Sequence, residues 1–235
     1  MPRKSSLLIL PFAFAALLGM GCAEEETAPA AAPADELDPP AAGEFCLGVD
    51  AETAESAAAL PLAPECPKCI GSPPPGMELA DVQPLSCAAG ETYPLTAFNG
   101  TTTVVALLSA RCPFCQAQSI LMEQMRNELD AEGIAVNFVL VNWSEAAAEV
   151  GEFIERVPFP ILQDEADINA WNLFQGNKDD VYVYGPDGLL AAHTSPRLDT
   201  PYNLSETEGY SYLRNAIVDA ANGIPTEPSD GSGAP

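Results

Sequence analysis

Residues 101–115 read TTTVVALLSARCPFC. Thr103 to Leu108 is a short β-branched, apolar run of the kind buried on both faces in a parallel sheet. Two cysteines follow as Cys112-Pro113-Phe114-Cys115, and from Cys112 to Glu132 the pattern turns helical. Leu121, Met125 and Leu129 recur on one face, and Gly133 closes the segment. A strand that feeds a helix opening on C-x-x-C puts the first sulfur among unpaired backbone N–H groups, at the positive end of the helix dipole. Pro113 costs little in a first turn that has no N–H bond to lose. One helical turn brings both sulfurs within disulfide distance. Cys112 is therefore expected to be the exposed attacking sulfur and Cys115, one turn deeper, the resolving one. Arg111 is the expected activating charge beside Cys112. A structural bridge and half of a metal site are the other uses of this spacing.

Reading toward the C-terminus, Val136 to Val141 predicts a second buried strand. Ser144 predicts the cap of a helix from Glu145 to Arg156, stopped by Pro158 and Pro160. Ile168 to Phe174 predicts a short helix. Val181 to Tyr184 and Leu189 to His193 predict a hairpin around Pro186-Asp187-Gly188. Ser205 and Glu208 have capping-box spacing before a last helix to Ala221. The order β, α, β, α, hairpin, α predicts an α/β thioredoxin-like fold, a central mixed β-sheet flanked by helices, over residues 91–223. In that fold a cis-proline precedes the hairpin and faces the dithiol. Phe159-Pro160 stands in that place by order, with Val157-Pro158 competing, and is the expected substrate-binding element. Lys178-Asp179-Asp180 reads as a turn carrying solvated charges, and Trp171, Tyr182 and Tyr184 read as core. His193, the single histidine, is either a proton carrier near the dithiol or a half-buried strand residue.

Toward the N-terminus the chain loses periodicity. Residues 1–21 form a signal-peptide pattern, with Arg3 and Lys4 before an apolar run from Leu7 to Leu18 and small residues ahead of Cys22. That run is too short to span a membrane. Cys22 resembles the lipidated cysteine of bacterial lipoproteins, although Gly19 stands where leucine is usual. Residues 22–45 are an Ala, Pro and Glu tether, and 224–235 a disordered tail. Residues 46–90 hold Cys46, Cys66, Cys69 and Cys87 and little apolar content, so cross-links are expected to hold them. Two disulfides, Cys46–Cys87 with Cys66–Cys69 foremost among three pairings, suit an oxidising compartment better than a zinc site. Cys66–Cys69 is then a staple or a second exchangeable pair. With 34 acidic against 9 basic residues the net charge is −25, which excludes a nucleic-acid partner.

The stretch TTTVVALLSARCPFC resembles the start of the selenoprotein P N-terminal domain, where a VVALL strand leads into a U-x-x-C motif with selenocysteine as U. Trp171-Asn172-Leu173-Phe174, Gly176-Asn177-Lys178-Asp179-Asp180 and Val181-Tyr182-Val183-Tyr184, with Gly188 and His193 beyond, extend the resemblance over roughly 101–221. It implies a thioredoxin-like fold and thiol-disulfide or peroxide reduction, with Cys112 at the selenocysteine position and Cys115 as its partner. Cysteine at that position, without a selenocysteine-rich tail or a His-rich stretch, removes the basis for selenium transport.

The expectation is an exported thiol-disulfide oxidoreductase that needs no cofactor and no metal. It would act on protein or small-molecule disulfides, thiols or peroxides, lipid-anchored on the periplasmic or cell-surface side of a bacterial membrane, foremost the outer one. Two other classes compete. One is a Cu(I)-binding protein using both cysteines and His193. The other is a redox-inert interaction module.

Overall fold

A computed structural model of the chain describes residues 47–224. The signal segment, Cys22, the tether, Cys46 and the tail beyond Ile224 lie outside the described residues. Seven strands form one sheet: β1 (Glu78–Asp81), β2 (Thr92–Pro94), β3 (Thr102–Leu108), β4 (Val136–Asn142), β5 (Ile161–Gln163), β6 (Val181–Tyr184) and β7 (Leu190–Thr194). Their spatial order is β2-β1-β5-β4-β3-β6-β7. β3, β4 and β5 are parallel, β6 runs antiparallel beside β3, and β7 antiparallel beside β6. Every residue of β3 is buried, which is why its run is apolar throughout rather than alternating. The helices are α1 (Ala51–Ser56), α2 (Pro113–Ala131), α3 (Gly151–Ile154), α4 (Ala170–Leu173) and α5 (Thr207–Ala221). This is the thioredoxin-like arrangement.

Strand geometry sends alternate side chains to opposite faces. Val104, Ala106 and Leu108 of β3 pack under Met122, Met125 and Leu129 of α2 and Leu213 and Ile217 of α5. Val105 and Leu107 face the other way, toward Tyr93, Phe98, Phe174 and Tyr182. Among the described residues no helix is long and apolar enough to cross a membrane.

Four local expectations change. The sheet begins at Glu78 rather than after residue 91, because β1 pairs with β5 as well as β2. Of its two inward residues, Leu79 and Asp81, the second is fully buried and accepts from the Tyr93 hydroxyl at 2.8 Å and the Gln83 N–H at 3.0 Å. A polar hub thus does what apolar side chains do elsewhere, and burial raises the Asp81 pKa despite these donors. The helix expected from Glu145 to Arg156 breaks where Ala146 leaves helical geometry (φ −109°, ψ 18°), leaving a 3-10 turn over Ser144–Glu149 and the four-residue α3. The Ser144 side chain does not cap it, and Trp143 stands at the cap position. The Ser205/Glu208 capping box does not form, because Asn203 Oδ1 accepts from both the Ser205 N–H and its hydroxyl. Finally, no peptide bond among the described residues is cis.

Candidate functional site

Cys112 is the N-cap of α2 in extended geometry, with Pro113 opening the helix. The chain between β3 and α2 is pinned by Asn142, buried at the end of β4. Asn142 Oδ1 accepts from the Ala110 N–H at 2.9 Å, while Nδ2 donates to the Ala146 carbonyl at 3.1 Å and to Gln163 Oε1 at 2.8 Å. Gln116 closes the other side through Nε2 to the Ala110 carbonyl at 2.7 Å. Both cysteines are free thiols. Cys112 is half-exposed and Cys115 is fully buried.

The partner of the dithiol comes from the residues just before β6. Antiparallel pairing carries them to the end of β3, where the Asp179 N–H donates to the Leu107 carbonyl and the Leu107 N–H to the Asp180 carbonyl, both at 2.9 Å. Asp179, with φ at +72°, turns its carboxylate under α2. The Cys115 thiol donates to Asp179 Oδ1 at 3.2 Å, and Asp179 Oδ2 accepts from Lys178 Nζ at 2.7 Å. Lys178 Nζ also stands 3.6 Å from Cys112 Sγ, and 5.7 Å above the Phe114 ring. A ring thus runs Cys112, Lys178, Asp179, Cys115.

Its electrostatics separate the two sulfurs. Partial burial pushes the Cys112 thiol up, but the backbone N–H and thiol of Cys115, and then the Lys178 ammonium, outweigh it and hold Cys112 below the ordinary thiol range. Burial drives Cys115 far up, reinforced by the Asp179 charge. Burial opposes the charge on Lys178, yet the Asp179 carboxylate and both sulfurs raise it well above the usual ammonium range.

Four expected participants are elsewhere. Arg111 turns away from the sulfurs. Its guanidinium donates to the Glu145 carbonyl, lies 3.5 Å from Glu149 and covers Trp143 at 6.0 Å, because the acidic 3-10 turn after β4 is its nearest counter-charge. Lys178 takes the role expected of it. Phe159 and Pro160 lead into β5, which is parallel to β4 and pairs Ile161 with Leu140 at mid-strand. Phe159 packs on Phe138 in the core, with ring centroids 5.8 Å apart, and Pro160 fills against Gly48. The strand antiparallel to β3 is β6, so Lys178-Asp179, and not a proline, faces the dithiol. His193 stacks on Tyr182 at 4.6 Å, on the sheet face opposite Cys115.

Lys178-Asp179-Asp180 does include a turn with Lys178 exposed, but its two carboxylates are buried rather than solvated. Asp180 is fully buried and accepts from Lys68 Nζ at 2.9 Å, from the Ser195 hydroxyl and from the Asn177 N–H at 3.0 Å, with His193 Nε2 at 3.6 Å. Burial would raise its pKa, but His193, Ser195 and Lys68 hold it at about 2. The available signal was three consecutive charged residues directly before a wholly apolar strand. Trp171 is half-buried and donates to the Val141 carbonyl at 3.2 Å; Tyr182 and Tyr184 are core.

Cys66 and Cys69 form a disulfide, and Cys87 is disulfide-bonded as well, which rules out the four-cysteine zinc site. Among the described residues no three His, Cys, Asp or Glu side chains cluster as metal ligands. In particular, Cys112, Cys115 and His193 are not brought together.

A family model described as "Selenoprotein P, N terminal region" matches residues 80–222. Selenoprotein P of Rattus norvegicus is 31% identical over 134 residues, 54% of this chain and 33% of that protein. Selenoprotein P of Homo sapiens is 30% identical over 142 residues, 57% and 35% of the two chains. The match thus spans about a third of the length of these relatives. Among solved structures, an uncharacterized conserved protein of Geobacillus kaustophilus superposes with a TM-score of 0.52 at 20% identity, covering 67% of this chain and 85% of that one. A protein of Chlorobium tepidum, assigned as a thiol:disulfide interchange protein of the DsbE type, gives 0.50 at 16% identity, covering 65% and 98%.

Proposed function

Because the chain belongs to the family of the selenoprotein P N-terminal region, a thioredoxin-like redox scaffold, we propose that it is an exported thiol-disulfide oxidoreductase. The observation that carries this reading is the ring of Cys112, Lys178, Asp179 and Cys115. It joins a half-exposed sulfur beside an ammonium to a buried thiol on a carboxylate.

The Cys112 thiolate attacks one sulfur of a substrate disulfide. The substrate S–S bond breaks, its other sulfur leaves as a thiolate, and a mixed disulfide remains on Cys112. Cys115 then passes its proton to Asp179 and attacks Cys112 Sγ. The second substrate sulfur leaves as a thiolate and takes up that proton. The substrate has gained two electrons and the protein holds a Cys112–Cys115 bond, which an external dithiol reopens. Asp179 meets the geometric demand on a general base, being within hydrogen-bond reach of the proton it removes. The substrate-binding part proposed for Phe159 and Pro160 passes to a cleft of about 340 Å³ lined by Leu198, Pro201 and Tyr202, with Tyr202 edge-on to Phe114 at 6.4 Å. With a hydroperoxide the same thiolate would be oxidised to a sulfenic acid, with Lys178 placed to donate a proton to the leaving oxygen, and Cys115 would condense with it, releasing water.

The N-terminal pattern supports export and lipid attachment at Cys22, on the periplasmic or cell-surface side of the outer membrane. The bonded Cys66, Cys69 and Cys87 suit such an oxidising compartment. The decisive test is Cys115→Ser, which should accumulate a mixed disulfide between Cys112 and a disulfide substrate such as native, disulfide-bonded insulin. No trapped species, together with no disulfide or hydroperoxide reduction by the wild type, would sink the reading.

A further inference from the structure

Lys68 sits inside the Cys66–Cys69 ring and sends its ammonium to Asp180, next in the chain to the proton acceptor Asp179. We propose that Cys66–Cys69 is a second redox-active disulfide, open to external thiols, whose state reaches the Cys112–Cys115 dithiol through Lys68 and Asp180.

Access comes first. Cys69 is exposed and Cys66 half-exposed. A staple role is weakly supported, because the bond joins residues only three apart and so takes little freedom from the unfolded chain. The turn is already made by the Cys69 N–H on the Cys66 carbonyl at 3.1 Å and the Ser72 N–H on the Cys69 carbonyl at 3.0 Å. The segment is docked on β7 by the Gly71 N–H on the Leu190 carbonyl and the Leu190 N–H on the Ser72 carbonyl, both at 2.8 Å. What the disulfide adds is a fixed origin for the Lys68 side chain.

Asp180 depends on that side chain. It is fully buried, and among the described residues Lys68 is the one lysine or arginine paired with it. A buried carboxylate that loses its cation draws on whatever positive charge remains nearby. The basic groups left beside it are His193, with Nε2 3.6 Å from Asp180 Oδ2, and, two residues back on the same segment, Lys178, which also serves Cys112. Opening the Cys66–Cys69 ring would therefore weaken the hold on the Cys112 thiolate.

The chemistry is ordinary exchange with an external dithiol. One thiolate attacks the exposed Cys69 Sγ, the Cys66–Cys69 bond breaks, and Cys66 leaves and takes up a proton. The second external thiol then releases Cys69 and the reagent departs as a disulfide, two electrons and two protons having passed to the protein.

The inference rests on the proposed role of Cys112, and its test separates the two. Dithiothreitol titration of the folded protein, read by alkylation and mass spectrometry of each cysteine, should reduce Cys66–Cys69 without unfolding. Cys66→Ser/Cys69→Ser and, with the bridge intact, Lys68→Met should each slow Cys112 alkylation at neutral pH by about two- to fourfold, as expected for one charge lost near the site. Combining all three substitutions should slow it no further. A bridge that opens only on denaturation would overturn the proposal, as would unchanged alkylation in Lys68→Met or additive effects in the combined variant. Ordinary thiol behaviour of Cys112 in the wild type would strike at the oxidoreductase reading instead, and the redox state of Cys66–Cys69 is measured independently of it.

Discussion

At the residue scale the dithiol was readable and its helpers were not. The C-x-x-C spacing and the strand before it are local, so Cys112 and Cys115 follow from the sequence. Arg111, adjacent in the chain, looked like the activating charge because sequence distance is all a sequence displays. Lys178 reaches Cys112 across 66 positions, a contact that exists only once β6 has paired with β3. Lys178→Met should raise the Cys112 pKa and slow its alkylation at neutral pH by about three- to tenfold, whereas Arg111→Met should leave it nearly unchanged. Iodoacetamide rates across pH 5–9 measure both. Asp179→Asn should leave the first attack intact and slow resolution by about 100-fold, so that quenched-flow samples show the mixed disulfide building up.

At the scale of elements, the long periodic segments were legible and the short ones were not. α2, β3, β4 and the hairpin of β6 and β7 lie where their patterns put them, because each repeats its period for two turns or more, or fills a whole strand. The start of α5 was misjudged because the Asn203 side chain takes up Ser205, and α3 because the backbone leaves helical geometry at Ala146. β1 escaped notice because it is four residues long and one of its two inward positions is a carboxylate, Asp81, leaving Leu79 as its one buried leucine. Junctions between elements rest on similar buried polar residues, and Asn142 is the one that matters most to the site. Asn142→Ala leaves the Ala110 N–H and the Ala146 carbonyl without their partner and should cost about 2–3 kcal/mol in urea denaturation. Gln124→Ala, on the exposed face of α2, should stay within about 0.5 kcal/mol.

At the scale of the whole molecule, the acid response should carry the mark of Asp180. Its folded pKa of about 2 lies below the ordinary 3.8, so its contribution is full above the ordinary value and vanishes as pH falls through the folded one. The stability gap between the wild type and Asp180→Asn, ~2 kcal/mol from this source near neutrality, should close between about pH 5 and pH 2 in parallel denaturant titrations. Asp81 and Asp164 act in the opposite sense, since burial raises both and they favour the folded state more once protonated. The acidic composition was visible in the sequence, but which carboxylates are buried depends on the sheet. The same sheet decides where the first and last described segments pack. Gly48 packs against Pro160 and Phe98, ahead of β5 and β3, and Ala221 and Asn222 end α5 beside Gly100, Thr102 and Ala135, where β3 and β4 begin. The dithiol lies past the point where β3 finishes. A load applied at Asn222 would pull from the side where β3 and β4 start and leave the sulfurs facing outward, free to be approached.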